Sequence, residues 1–150
     1  LAKAGLVRVP LNLRETAAEH RYKLAYSGAR ALICTPEWES LDCEIVIGPE
    51  QLRKLVAEGS PAPCAIDRAY EAPLRLGFTG GTTGQPKAVT LTTRGEVAEV
   101  GAFLLDLVPD IRPGDTMLHA APIAHASGAF FLPHLLRGAQ SVILPKFDAG

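Results

Sequence analysis

The run Phe78-Thr79-Gly80-Gly81-Thr82-Thr83-Gly84-Gln85-Pro86-Lys87 decides how this chain is read. Three glycines and three threonines fall within six consecutive residues, and a proline and a lysine follow. Such a run cannot bury apolar surface. It offers closely spaced backbone N–H groups, three hydroxyls and one cation, which are the groups a polyphosphate needs. A flexible Gly/Thr linker with no ligand is the competing reading. The residues on either side are strand-like, 74–78 leading in and 88–92 leading out, the latter rich in β-branched side chains. A loop between two strands has no helix N-terminus to rest a phosphate on. It must hold one with a nest of N–H groups, threonine hydroxyls and Lys87. Pro86 stiffens the exit and aims Lys87.

Two common nucleotide motifs are excluded. The Walker A loop places glycine before its lysine and Ser or Thr after it, whereas Lys87 stands between Pro86 and Ala88. The dinucleotide fingerprint needs G-x-G-x-x-G opening a helix, and Gly80, Gly81 and Gly84 lack that spacing.

Outward from the loop, strands alternate with helices, the pattern of an α/β fold: a layered sheet with flanking helices. Residues 6–13 read as a short strand, with Pro10 pushing it towards an edge. A helix follows, with Thr16 and Glu19 at capping-box spacing and Ala18, Tyr22, Ala25 and Tyr26 recurring at helical spacing. Gly28 offers a left-handed stop. The apolar runs 31–35 and 44–47 suit parallel strands covered on both faces. Pro49 opens a helix to about residue 57 with Leu52, Leu55 and Val56 inward and Gly59 ending it. Thr93 and Glu96 have the spacing of a second capping box, opening a helix through 108 with Val97, Val100, Leu104, Leu107 and Val108 as its buried stripe. Strands are expected at 116–121 and 141–144. Between them 127–137 reads as a helix limited or kinked by Pro133.

Composition bounds the rest. The 150 residues suffice for one domain with a core, and 47% hydrophobic with 21% charged is ordinary for a globular protein. Net charge is −1 without a basic block, so no nucleic-acid partner is indicated. Cys34, Cys43 and Cys64 form no CxxC pair and read as small hydrophobes in a reducing compartment, which places the protein in the cytoplasm. No apolar run is long enough to span a membrane. Leu1 to Gly5 reads as the last turn of a helix stopped by Gly5, so the chain is expected to be a piece of a longer protein.

Residues 78–89 resemble the signature of the adenylate-forming superfamily, [Tyr/Phe]-[Ser/Thr]-[Ser/Gly]-Gly-[Ser/Thr]-Thr-Gly-x-Pro-Lys-Gly, departing from it at Ala88, where glycine is usual. The flanks agree. Residues 5–12 with Glu19 and Ser27-Gly28-Ala29 resemble the segment before that signature. Pro122-Ile123-Ala124-His125 with Gly128 resembles the next motif. The chain is thereby identified as a partial N-terminal, AMP-binding domain of an acyl-CoA synthetase type, residues 1–150, with the C-terminal domain outside it.

The resemblance implies the chemistry. A carboxylate attacks the α-phosphate of ATP, giving an acyl-adenylate and pyrophosphate, and the acyl group passes to CoA or another thiol acceptor. Thr79, Gly80, Gly81, Thr82, Thr83 and Gly84 are the implied grip on the β- and γ-phosphates, with Lys87 adding a point charge. Thr83 is the implied protein hydroxyl for Mg²⁺. His125 is implied beside the reacting carboxylate as a positioning group, and Ala126, Ser127, Gly128 and Phe131 line the acid pocket. The alternatives are a solvated surface lysine for Lys87, a core histidine for His125 and plain core packing for Phe130 and Phe131. His20, His119 and His134 show no metal spacing and read as structural, and Tyr22, Tyr26 and Trp38 read as packing residues. The Gly80-Gly81 pair leans towards a fatty acid substrate, with aryl-acid and peptide-synthetase-type adenylation, or a nucleotide-binding module of another class, as alternatives. The remainder of the enzyme is an implied partner, and residues 1–150 alone are expected not to form a thioester.

Overall fold

A computed structural model describes residues 1–60, 62, 64, 66–79, 86–124 and 126–144. The chain forms two compact units, Leu1–Arg68 with Arg75–Val89, and Ala69–Leu74 with Thr90–Gly150. The α/β expectation holds. Among the described residues the strands pair in three two-stranded sheets rather than one layer.

In the first unit, Gly5 at φ 69° closes a single 3-10 turn, Ala2–Ala4, where a helix end was expected. Residues 6–13 form no strand. Their ladder contact is one bridge, Arg8 opposite Arg75, with the Leu76 N–H donating to the Arg8 carbonyl at 2.9 Å. Pro10 removes a donor just beyond it, and Asn12 then turns the chain by accepting the Arg14 N–H on its side chain and the Glu15 N–H on its carbonyl. Helix α1 spans Ala17–Ser27 with the full capping box: Thr16 Oγ1 accepts from Glu19 N–H and Glu19 accepts from Thr16 N–H. Gly28 at φ 61° ends it.

The buried face of α1 is not the one the apolar spacing suggested. Ala18, Ala25 and Tyr26 are exposed, and His20, Lys23 and Leu24 are buried. Leu24 joins Leu32 and Leu41 in the core, with Leu11, Ala17, Ala29, Cys34, Trp38 and Cys43 packed against them. Strand β1, Ala31–Ile33, runs parallel to β2, Ile45–Ile47, in the register Leu32 opposite Val46. The expectation that both faces are covered is corrected: Leu32 is buried, while Ile33 and Ile45 are exposed. Helix α2, Pro49–Glu58, starts with Pro49 at its first position. Its stripe of Leu52, Leu55 and Val56, expected to face inward, is exposed. Gly59 ends it in extended backbone at φ −67°, not in a left-handed cap.

Strands β3, Pro73–Thr79, and β4, Lys87–Thr92, pair with each other and contribute residues to both units. In the second unit, helix α3, Thr93–Ala102, is capped one residue earlier than the Thr93 box predicts: Thr92 Oγ1 accepts from Gly95 N–H at 3.2 Å, and Thr93 opens the helix. Thr93 N–H and Arg94 N–H are accepted by the carbonyls of Ala72 and Tyr70, which fixes where the helix starts. A π-helical turn, Phe103–Leu107, closed by Val108 N–H on the Phe103 carbonyl at 2.8 Å, continues α3. Its extra residue per turn rotates the following side chains out of the expected phase. Val100, Leu104 and Val108 are half-buried, whereas Val97 and Leu107 are exposed.

Strand β5, Thr116–His119, pairs in parallel with β6, Gln140–Ile143, His119 opposite Ile143. Between them the expected single helix divides into a 3-10 segment, Ala126–Phe130, and α4, Phe131–Leu136. Pro133 is the third residue of α4, where its missing N–H leaves no intrahelical bond unmade.

Candidate functional site

The two shoulders of the glycine loop are set by β3 and β4. Thr79 ends β3 and Lys87 begins β4, both exposed. The Thr79 hydroxyl donates to the Lys87 carbonyl at 3.4 Å, which closes the neck of the loop. Among the described residues no ion pair involves Lys87. Gly80, Gly81, Thr82, Thr83 and Gly84 lie outside the described residues, as does His125. The phosphate grip and the Thr83 magnesium role therefore rest on the sequence. Among the described residues no three His, Cys, Asp or Glu side chains converge to hold a metal ion.

Helix α1 reaches both shoulders. The Tyr22 hydroxyl donates to the Pro86 carbonyl at 3.1 Å. The Phe78 ring meets Tyr26 edge-on at 5.6 Å and Tyr22 at 6.4 Å, and Lys23 Nζ lies 5.3 Å from its centroid. Lys23 is buried and paired with Glu15 at 2.5 Å. The reading of Tyr22 and Tyr26 as packing residues covers their rings and not the Tyr22 hydroxyl. Nothing local in the chain signals a contact between positions 64 apart.

In the second unit, the expected acid-pocket residues begin the 3-10 segment. Ala126 is exposed, and Ser127 is half-buried with its hydroxyl 2.8 Å from His119 Nδ1. Gly128 sits against the chain before it: a Cβ there would overlap the Ile123 carbonyl oxygen, so only glycine fits. Phe131 is half-buried, its ring 6.4 Å from that of His119, and Phe130 packs edge-on against Phe103 at 4.9 Å.

The three described histidines are buried parts of the scaffold. His20 bonds the Asn12 carbonyl and meets the Trp38 ring edge-on, His134 bonds the Phe130 carbonyl, and His119 bonds Ser127 and Ser141. Away from the loop, burial raises the Cys34 thiol above its ordinary range, consistent with a structural cysteine.

The model of the AMP-binding enzyme family matches residues 1–149, and the chain belongs to that family. Feruloyl-CoA synthase of Amycolatopsis sp is 33% identical over 99% of this chain and 30% of its own length. Medium/long-chain-fatty-acid–CoA ligase FadD8 of Mycobacterium tuberculosis is 29% identical over 96% of this chain and 29% of its own. The chain thus spans about a third of the length of the curated relatives it matches. Among solved structures, the inhibitor-bound N-terminal domain of FACL13 from Mycobacterium tuberculosis superposes with a TM-score of 0.88 at 26% identity, over 99% of this chain and 40% of that one. ATP-bound MatB from Rhodopseudomonas palustris does so with 0.80 at 27%, over 97% and 31%. The fold is that of the N-terminal domain of an adenylate-forming enzyme.

Proposed function

We propose that the protein to which this chain belongs is an AMP-forming acid–thiol ligase. A carboxylate oxygen attacks the α-phosphorus of ATP, the α–β anhydride bond breaks, and pyrophosphate leaves. The thiolate of CoA then attacks the acyl carbon and AMP leaves. The difficulty is charge, because an anion approaches a polyphosphate. Preorganised donors offset it, and Mg²⁺ supplies further neutralisation when bound. In this reading Thr79, the Gly80–Gly84 amides and hydroxyls, and Lys87 hold the β- and γ-phosphates. Thr83 adds a hydroxyl near the metal. His125, Ala126, Ser127, Gly128 and Phe131 border the acid.

The observation that carries the reading is the loop neck. Thr79 and Lys87, at opposite ends of the signature, are joined by a hydrogen bond at 3.4 Å from the Thr79 hydroxyl to the Lys87 carbonyl. The ligase names of the relatives support the reaction class. For the acid, a fatty acid is the first reading, supported by the Gly80-Gly81 pair and the FadD8 likeness. The 33% identity to a feruloyl-CoA synthase favours an aryl acid as the second. No described helix is long and apolar enough to cross a membrane.

The test is acid-dependent ATP–pyrophosphate exchange by the full-length protein across fatty, aryl and amino acids. Exchange with one class is expected, and none with any acid defeats the reading. Lys87→Ala should slow exchange by about 10²–10³-fold, the effect of removing one preorganised charge donor.

A further inference from the structure

A single stretch of α1 touches the last apolar residue before the glycine loop and the proline after it. On the entry side, Tyr22, Lys23 and Tyr26 surround Phe78. On the exit side, the Tyr22 hydroxyl donates to the Pro86 carbonyl at 3.1 Å. Tyr22 and Tyr26 are one helical turn apart, with ring centroids at 5.8 Å, so each steadies the other.

The chemistry of Pro86 makes that hydrogen bond consequential. Proline has no N–H, so its carbonyl is its one backbone hydrogen-bonding group. That carbonyl belongs to the peptide plane joining Pro86 to Lys87. A donor held on it, beside a φ already fixed by the ring, sets the orientation of that plane and therefore the direction in which Lys87 leaves it. The donor is itself anchored: the next residue along α1, Lys23, is buried and paired with Glu15.

We propose that Tyr22 is a positioning residue for the nucleotide loop, its hydroxyl aiming Lys87 by fixing the Pro86–Lys87 peptide. This rests on the reading of that loop as the phosphate holder. Tyr22 acts through Pro86, 64 residues away in sequence, and not on the substrate.

Tyr22→Phe in the full-length protein removes the hydroxyl and keeps the ring on Phe78 and Tyr26. The matched control is Tyr26→Phe, whose hydroxyl makes no bond among the described residues. For Tyr22→Phe the KM for ATP in pyrophosphate exchange should rise about fivefold, the scale of one lost neutral hydrogen bond. The KM for the acid should stay at its wild-type value, and amide hydrogen exchange at Lys87 and Ala88 should accelerate. Tyr26→Phe should change neither. An unchanged KM for ATP, or unchanged amide exchange at Lys87 and Ala88, overturns the proposal. Active wild type with an unaltered Tyr22→Phe variant defeats this inference alone. Wild type that neither binds ATP nor exchanges pyrophosphate defeats the ligase reading and this inference together.

Discussion

His119 Nδ1 lies 2.8 Å from the Ser127 hydroxyl, tying the last residue of β5 to the segment that borders the proposed acid pocket. Its Nε2 lies 3.3 Å from the Ser141 hydroxyl on β6, so one buried ring joins a strand end, a neighbouring strand and the 3-10 segment. His119→Leu removes both bonds and leaves two serine hydroxyls short of a partner. A loss of about 1–3 kcal/mol is expected, read as a lowered thermal midpoint. An unchanged midpoint would show that the ring merely fills space.

Gly128 has no room for a side chain beside the Ile123 carbonyl. Gly128→Ala must displace the backbone on one side of that contact. The expected result is a KM for the acid raised more than about tenfold, the cost of a small misplacement of a positioned substrate, with the KM for ATP little changed. Equal changes in both constants would separate this turn from the acid.

Lys23 is buried against Glu15, with His20 Nε2 3.6 Å from the same carboxylate. Glu15→Gln strands the ammonium and should destabilise by about 3–5 kcal/mol, as removing one partner of a buried pair does. Glu15→Gln combined with Lys23→Met removes the charge as well as its partner and should recover much of the loss. A double variant as unstable as the sum of the singles would show that the two residues act independently.

Glu19 is held below the ordinary carboxylate range, chiefly by the hydrogen bond from the Thr16 backbone N–H and then by the Thr16 hydroxyl. A carboxyl whose folded pKa is depressed binds fewer protons than the unfolded chain. Its stabilisation is therefore complete above the unfolded pKa and disappears as pH falls through the folded one. Arg30 depresses Glu44 in the same sense. Glu19→Gln should flatten the acid limb of thermal midpoint against pH and leave the neutral region with only the lost cap. An acid limb identical to that of wild type would remove Glu19 from the account.

How much of this was legible in the sequence follows from distance along the chain. The Thr16–Glu19 box and the Gly28 cap are written in residues a turn apart, and both stand as read. So does the parallel pairing of two unbroken apolar runs. The second cap missed by one residue because Thr92 and Thr93 are chemically alike, and the choice is made by the carbonyls of Ala72 and Tyr70 some twenty positions earlier. The buried side of α1 is not legible because two of its buried members, His20 and Lys23, are polar, held by the Asn12 carbonyl and the Glu15 carboxylate. In the site, the signature residues were readable one by one. The hydrogen bond from Tyr22 to Pro86 was not, since it depends on how α1 meets β3 and β4.

The central claim is that the loop between Thr79 and Lys87 serves attack at the α-phosphate, and product analysis tests it most directly. The full-length protein with its preferred acid, CoA, Mg²⁺ and ATP should release AMP and pyrophosphate in equal amounts, and only when the acid is present. Release of ADP and inorganic phosphate instead would contradict the account, because the bond broken would then be the β–γ anhydride.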